Sequence, residues 1–208
     1  TIGEAHEIWR DTEGHFQAVP QTEIDISEEH LKSAPYLHYT SNNTIYGTQY
    51  KAPPQHRATH QLPLVADLSS DFLSRPLDMR PFDIIYAGAQ KNAGPSGLTV
   101  LIIRKEISRR DPINARCPII TRYRTHAEKA SMYNTPNTFG IYLLGLVAEW
   151  VIAQGGLEAM RTLSAEKSAM IYDVIDAHPQ VYQGYAHPES RSEMNVTFTL
   201  SDPTREPE

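Results

Sequence analysis

The sequence predicts an α/β protein in which a large sheet domain is followed by the start of a smaller α+β domain. Short apolar runs rich in β-branched residues recur in the first half, separated by Gly, Pro and other turn-forming residues. Two longer stretches with apolar residues at helical spacing follow, and strand-like segments close the chain. We therefore expect the C-terminal part of the large domain over residues 1–155, and a linking helix with the start of the small domain over residues 156–208.

Length and composition are those of a globular protein and exclude several function classes. The 208 residues are 40% hydrophobic, and the formal net charge is −6, from 19 Lys and Arg against 25 Asp and Glu. This balance lacks the basic stripe that neutralises nucleic-acid phosphates, so no nucleic-acid partner is expected. No apolar run reaches the roughly 18 to 20 residues that cross a bilayer, so no membrane partner is expected either.

Cysteine and histidine usage predicts a cytoplasmic protein without a metal site. Cys117 is the single cysteine, which rules out an intramolecular disulfide and a cysteine metal site. The nine histidines are scattered and contain no His-Glu-x-x-His pair. The chain starts at Thr1 without a methionine and stops shortly after a strand-like segment. We expect it to be a piece of a longer protein.

Four strand-like runs define the predicted sheet. They cover residues 36–40, 62–67, 82–86 and 98–103, and residues 1–34 before them predict only a short helix and a strand. In open α/β sheets, ligands gather at the carboxyl ends of the strands. Polar residues that close or follow these runs are therefore candidate ligands.

Lys91 lies in a loop of small residues between the third and fourth runs. A lysine becomes a nucleophile toward carbonyl groups when its surroundings penalise the ammonium form, and a tight loop against a sheet can provide that desolvation. An ordinary surface lysine is the alternative. A phosphate-binding P-loop is disfavoured, because Lys91 precedes Gly94 and the Gly-Lys-Ser/Thr order is missing.

Two further candidates lie at strand ends. Thr44 belongs to the turn-forming segment 41–47, for which a plain Asx turn is the alternative interpretation. Asp67 closes the second run, where it is either a ligand group or a helix N-cap.

The third polar segment precedes a long helix. Thr135 comes before Pro136 and is biased away from helix, so an amphipathic helix is expected to start at Asn134 and Thr135 and to offer its N-terminus to a phosphate. An ordinary capped helix is the alternative. A second helix after Gly155 and Gly156 extends to residue 178, and both helices are expected to pack in the core. The charged segment 104–116 predicts another helix.

Together these residues match what a pyridoxal phosphate site requires: an imine-forming lysine, an acid for the pyridine nitrogen, and hydroxyl and amide groups for the ring oxygen and phosphate. At the motifs that carry them, the sequence resembles the phosphoserine aminotransferase family of fold type I pyridoxal phosphate enzymes. The resemblance runs from about residue 36 to residue 200 and includes the specific Gly-Ala-Gln-Lys-Asn motif. The motifs cover residues 43–47, 66–76, 86–92 and 134–139.

The resemblance implies a mostly parallel sheet with helices on both faces, and it implies roles for single residues. Lys91 would form the imine with the cofactor and act as general base. Asp67 would pair with the pyridinium, and Thr44 and Gln90 would contact the cofactor.

The resemblance also implies partners and substrates. Asn134 and Thr135 would bind the phosphate of the neighbouring subunit's cofactor, which implies a homodimer with shared sites. The implied reaction transfers the amino group of L-glutamate to 3-phosphohydroxypyruvate, giving 2-oxoglutarate and O-phospho-L-serine for serine biosynthesis. A related phosphate-bearing substrate of vitamin B6 biosynthesis is a second candidate.

The sequence departs from the family pattern at two places. Asn43 stands where the family often has an acid. The substrate arginines and the ring-stacking aromatic are expected outside this chain, and the arginines inside it that are plausible substitutes are Arg75, Arg122, Arg124 and Arg191. Another fold type I enzyme, such as a desulfurase with Cys117, and a non-catalytic α/β binding module remain the alternatives.

Overall fold

A four-stranded sheet forms the centre of the computed structural model, which describes residues 4–11, 15–21, 23–54, 62–110 and 116–205. Its strand order is β1 (Leu37–Thr40), β4 (Leu64–Asp67), β5 (Ile84–Gly88) and β6 (Thr99–Ile103). β1 and β4 pair in parallel, as do β4 and β5, whereas β6 pairs antiparallel with β5 at the edge. The predicted mostly parallel sheet is thus confirmed. The first half also contains the two short strands β2 Asn42–Asn43 and β3 Thr48–Gln49.

The register brings the ends of three strands to one edge of the sheet. Thr40 of β1 lies beside Asp67 of β4, which lies beside Tyr86 of β5. Since all three strands run in the same direction, the segments that follow them leave the sheet at this edge. The turn with Thr44 and the loop with Lys91 therefore come out side by side.

The two faces of the sheet differ in burial. Alternate residues of β1, β4 and β5 form the buried core with Leu68 and Phe82, namely Leu37, Tyr39, Leu64, Ala66, Ile85 and Ala87. Successive side chains of a strand point to opposite faces. His38, Thr40, Asp67 and Tyr86 therefore lie on the other, less buried face.

The positions of the helices and of the C-terminal strand pair are mostly as predicted. The helices are α1 Glu28–Ser33, α2 Lys105–Ser108, α3 Tyr123–Glu128, α4 Thr138–Ala153 and α5 Gly156–Ala177, with 3-10 turns at Ile119–Thr121, Pro188–Ser190 and Pro203–Arg205. β7 Tyr182–Gly184 and β8 Phe198–Leu200 form a separate antiparallel pair. The helix expected over 104–116 is too long: α2 ends at Ser108, whose hydroxyl bonds the Lys105 carbonyl at 2.9 Å, and residues 111–115 lie outside the described residues.

The expectation that α5 packs in the core holds only in part for the described chain, since Met170 is 70% exposed. The expectation that α4 is an amphipathic core helix is wrong there. Gly140 and Val151 are its buried residues, while large apolar side chains lie exposed around it. Phe139 is 69% exposed and Ile152 is 74% exposed. A helix with apolar residues on every face is normally buried on every face, whereas the described residues bury only part of α4.

A sharp bend joins α4 to α5. Gly155 and Gly156 have φ values of 103° and 75°, in the left-handed region that other residues rarely adopt. Within the described ranges no single helix is long and apolar enough to span a membrane; α4 and α5 pass that test only as a pair, and they are bent by 83°. The domain boundary between residues 155 and 156 stays a prediction.

Candidate functional site

Lys91 and Thr44 meet at the open edge of the sheet. Lys91 Nζ donates a hydrogen bond to Thr44 Oγ1 at 3.1 Å. The loop that carries Lys91 is held by backbone bonds from Ala93 and Gly94 to the Ala89 carbonyl, at 3.0 and 2.8 Å. The desolvated environment expected for Lys91 is absent from the described chain. Its side chain is exposed because it leaves the loop toward Thr44 and away from the core.

The turn that presents Thr44 is an Asx turn. Asn43 Oδ1 accepts hydrogen bonds from the backbone N–H groups of Ile45 and Tyr46, at 3.0 and 3.2 Å. The structural alternative for this segment is therefore realised, and the same turn also places the Thr44 hydroxyl against Lys91. The Asx turn and the contact of Thr44 with Lys91 are therefore compatible, because the turn produces the contact.

Asp67 closes β4 and caps a turn. Its Oδ1 accepts from the Ser69 backbone N–H at 2.8 Å and from the Ser69 hydroxyl at 2.6 Å. Ser69 Oγ in turn accepts from the Gly88 N–H at 3.0 Å, which joins the ends of β4 and β5. A turn rather than an α-helix follows Asp67, so the helix N-cap alternative is excluded. The second carboxylate oxygen, Oδ2, takes no part in these bonds to Ser69.

Sequence reasoning missed Ser69, although the Asp-x-Ser spacing after a strand is a signal for such a turn. It also missed two neutral groups beside the carboxylate. His38 Nε2 and the Tyr86 hydroxyl lie 2.9 Å apart and their rings stack. Burial lowers the pKa of His38 against the opposing effect of Asp67, and burial, followed by Asp67, raises the pKa of Tyr86. Both groups therefore favour their neutral forms. His38 could have been found from the sequence, because strand alternation places it on the same face as Thr40, next to Asp67.

Gln90 lies over the end of β5. A Cβ atom added to Gly88 would lie 2.7 Å from Gln90 Oε1, so the Gln90 amide would have to move away if residue 88 carried a side chain. Gln90, Lys91, Thr44 and Asp67 are thus gathered at one edge of the sheet.

Asn134 and Thr135 are not part of this arrangement. Both are exposed, and in the described part of the chain neither bonds to Thr44, Asp67 or Lys91. The predicted helix start is wrong by three or four residues, since α4 begins at Thr138. Pro136 keeps Thr135 out of the helix, and Asn137 caps it by accepting from the Gly140 N–H at 3.0 Å.

The candidate substitute arginines are all engaged elsewhere. Arg75 donates to the Tyr50 carbonyl at 2.6 Å, and Arg122 donates to the Cys117 carbonyl at 2.7 Å. Arg124 pairs with Glu128 at 2.7 Å, and Arg191 pairs with Asp176 at 2.6 Å. No substrate clamp is therefore apparent in the described ranges.

The donor set fits the cofactor that the resemblance implies. It offers the Lys91 amine, the Thr44 hydroxyl, the Gln90 amide and the Asp67 carboxylate, all at the carboxyl ends of the parallel strands. An open depression of about 530 Å³ lies on another side of Lys91, where Leu143, Leu146, Val147 and Trp150 of α4 line it and Thr44 and Asp67 do not. Among the described residues no group of three His, Cys, Asp or Glu side chains is arranged to hold a metal ion.

Comparison with known proteins shows which family the chain is similar to. The family model described as aminotransferase class-V matches residues 12–206. A phosphoserine aminotransferase of Lysinibacillus sphaericus is 53% identical over 167 residues, which make up 80% of this chain and 45% of that protein.

Two solved structures are similar as well. The phosphoserine aminotransferase of Bacillus circulans subsp. alkalophilus is 42% identical with a TM-score of 0.88, over 97% of this chain and 54% of that one. A PLP-bound phosphoserine aminotransferase of Trichomonas vaginalis is 38% identical with a TM-score of 0.78, over 89% of this chain and 48% of that one. The predicted α/β fold is confirmed, and the chain spans about half the length of the relatives it matches.

Proposed function

Because this chain belongs to the aminotransferase class-V family, we propose that it supplies about half of a pyridoxal phosphate-dependent transaminase. The reaction transfers the amino group of L-glutamate to 3-phosphohydroxypyruvate and gives O-phospho-L-serine and 2-oxoglutarate. The observation that carries the proposal is the Lys91 amine bonded to the Thr44 hydroxyl at the edge where Asp67 closes its strand. Relatives that share about half of the matched residues are phosphoserine aminotransferases by name, which supports this substrate pair over others.

Each residue of the site has a distinct task. When bound, pyridoxal phosphate supplies an aldehyde carbon for amines and a protonated ring that withdraws electrons. Lys91 would provide the amine that holds the cofactor, and its Nζ, once the amine of the substrate has replaced it there, would accept the α-proton of the substrate. Asp67 supplies the negative charge that keeps the ring nitrogen protonated. Thr44 holds the Lys91 amine at the strand edge, and Gln90 covers the end of β5.

The remaining parts of the site are proposed to lie outside the described residues or in a second copy. Both substrates carry several negative charges, and bidentate arginine clamps are the usual way to position such groups. The arginines considered above are committed to other partners, so we place the clamp in the other half of the enzyme. Asn134 and Thr135, which are both exposed, are proposed to bind the phosphate of a partner subunit's cofactor, in a homodimer located in the cytoplasm.

Cofactor trapping tests the proposal in the full-length enzyme. Borohydride reduction after addition of pyridoxal phosphate should attach the cofactor to Lys91, and Lys91→Arg should abolish this labelling. Lys105→Arg is the matched control, because Lys105 begins α2 and lies outside the site. Label on Lys51, Lys105 or Lys129 in place of Lys91 would contradict the assignment. Turnover of L-glutamate with 3-phosphohydroxypyruvate then tests the substrates separately.

The same experiment distinguishes the alternatives. A desulfurase requires a reactive cysteine on a mobile loop, whereas the Cys117 sulfur lies 3.3 Å from the Thr121 hydroxyl next to a 3-10 turn. Trapping at Lys91 with release of sulfur from cysteine would favour a desulfurase. Absence of any trapped cofactor would favour a binding module.

A further inference from the structure

The turn that carries Thr44 is held from two sides by different parts of the chain. On one side it continues β2 of the large domain. On the other side lies the segment 190–197, which belongs to the predicted small domain. The Ser192 N–H donates to the Gly47 carbonyl at 2.9 Å, and the Thr197 hydroxyl donates to the Tyr46 carbonyl at 2.9 Å. This segment, here named the clasp, touches the turn along most of its length.

A buried polar network anchors the clasp. Asn42, which is 2% exposed, donates through Nδ2 to Ser70 Oγ at 2.9 Å and to Asn195 Oδ1 at 2.8 Å. Its Oδ1 accepts from the Ser192 hydroxyl, and Ser192 itself is fully buried. Side chains that satisfy one another in this way are rigid, because any rotation would leave a buried polar atom without a partner.

Asn195 uses the remainder of its hydrogen-bonding capacity on the turn. Its Nδ2 donates to the Thr44 carbonyl at 3.1 Å and to the Asn43 carbonyl at 3.4 Å. We propose that Asn195 is a positioning residue, which fixes the backbone of Thr44 and thereby sets the Thr44 hydroxyl opposite the Lys91 amine. The small domain would thus build part of the cofactor site without touching the cofactor. The importance of Thr44 for cofactor binding rests on the proposed function, whereas the hold on the turn does not.

Two variants and a matched control test whether Asn195 positions Thr44 specifically or only helps to hold the clasp against the turn. Asn195→Asp keeps the shape and the acceptor for Asn42 but loses both donors to the turn, and Asn195→Ala removes the whole amide. Thr197→Val is the control, because it also deletes a hydrogen bond between the clasp and the turn, at Tyr46 instead of Thr44. Thermal unfolding checks that all three full-length variants fold.

The first measurement uses cofactor-free protein and hydrogen exchange of the turn. The N–H groups of Ile45 and Tyr46 bond to Asn43 Oδ1 and the N–H of Gly47 bonds to the Asn43 carbonyl. Both Asn195 variants should speed exchange at these amides by about tenfold, because local opening becomes easier when two tethers are lost. Exchange at the wild-type rate in Asn195→Asp would overturn the inference.

The second measurement is the dissociation constant for pyridoxal phosphate, from the absorbance of the bound cofactor. Loss of two hydrogen bonds predicts about tenfold weaker binding in the Asn195 variants, and a change of less than about threefold in Thr197→Val. Equal weakening in Thr197→Val would show that the clasp acts as general support and would overturn the assignment to Asn195. If the wild-type protein binds no pyridoxal phosphate, the proposed function fails, while the exchange measurement still decides the role of Asn195.

Discussion

Arg75→Met should destabilise the full-length protein in a manner that depends strongly on pH. Arg75 Nη2 lies 3.4 Å from Asp71 Oδ2, and the two side chains are 14% and 1% exposed. Asp71 also accepts from Ser41 Oγ at 2.6 Å and from Gln49 Nε2 at 3.3 Å. Methionine keeps most of the arginine volume, so the substitution removes the positive charge together with the hydrogen bond that Arg75 donates to the Tyr50 carbonyl.

The size of the loss of stability depends on whether the Asp71 carboxylate stays charged or becomes protonated. Breaking a buried pair costs about 3 to 5 kcal/mol, and the long contact places Arg75 near the lower limit. The protein can avoid part of this cost by protonating Asp71, whose ordinary pKa is 3.8. Protonating such a carboxyl costs about 1.4 kcal/mol for each pH unit above that value, hence about 4 kcal/mol at about pH 7 and less than 2 kcal/mol at about pH 5.

The sign of the pH dependence is fixed by the direction of the pKa shift. Burial raises the pKa of Asp71, and Arg75 is among the groups that oppose the rise. Folding therefore favours the protonated carboxyl, so its contribution to stability is present at acid pH and lost as the pH rises through the folded pKa. Removing Arg75 raises that pKa further. The loss of stability should be about 3 kcal/mol at about pH 7 and clearly smaller at about pH 5.

The assay is thermal or urea unfolding of wild type and Arg75→Met across this pH range. The double variant Asp71→Asn with Arg75→Met should regain stability at neutral pH and lose most of the pH dependence, because no carboxylate is left unpaired. Arg80→Met is the matched control, since the Arg80 to Asp78 ion pair is shorter, at 2.7 Å, but exposed. We expect it to change stability too little to measure. An Arg75→Met effect independent of pH would refute the reasoning.

Three further predictions concern the proposed transaminase. Asp67→Asn should slow turnover at least tenfold while the unfolding temperature stays within a few degrees, because electron withdrawal weakens but the Ser69 turn persists; undiminished turnover would mean that Asp67 is only a cap. Asn134→Ala with Thr135→Ala should weaken cofactor retention, and mixing this variant with Lys91→Ala should restore part of the activity if the phosphate contacts cross a dimer interface. No recovery would indicate a site within one chain. The 208-residue chain alone should show no measurable turnover, and activity close to that of the full-length enzyme would place the substrate clamp inside it.

The strands, and the position of Lys91 and Asp67 at strand ends, could be predicted from the sequence because they depend on local signals. Apolar runs between turn residues located β1, β4, β5 and β6 to within about two residues. The loop with Lys91 and the acid that closes β4 could be found because strand ends in α/β sheets gather at one edge.

The parts that escaped prediction depend on contacts distant in sequence. Asn195 bonds to Thr44 across 151 positions, and Ser192 bonds to Asn42 across 150, so neither has a local pattern. The exposure of α4 is a second case. Its apolar residues predict that the helix is buried. The periodicity of these residues does not show which other part of the protein covers the helix.

The antiparallel strand β6 has a consequence for handling the protein. Among the described residues it is the last strand of the sheet, and its sequence Thr-Val-Leu-Ile-Ile is uncharged, free of proline and rich in β-branched residues, with Leu101 39% exposed and Ile102 40% exposed. Such a strand is a template for edge-to-edge association and amyloid-like stacking. The charged residues Arg104, Lys105 and Glu106 follow it directly, and charges in this position oppose aggregation of the strand. Salt that screens these charges would weaken this protection, so the solubility of the chain should fall as ionic strength rises.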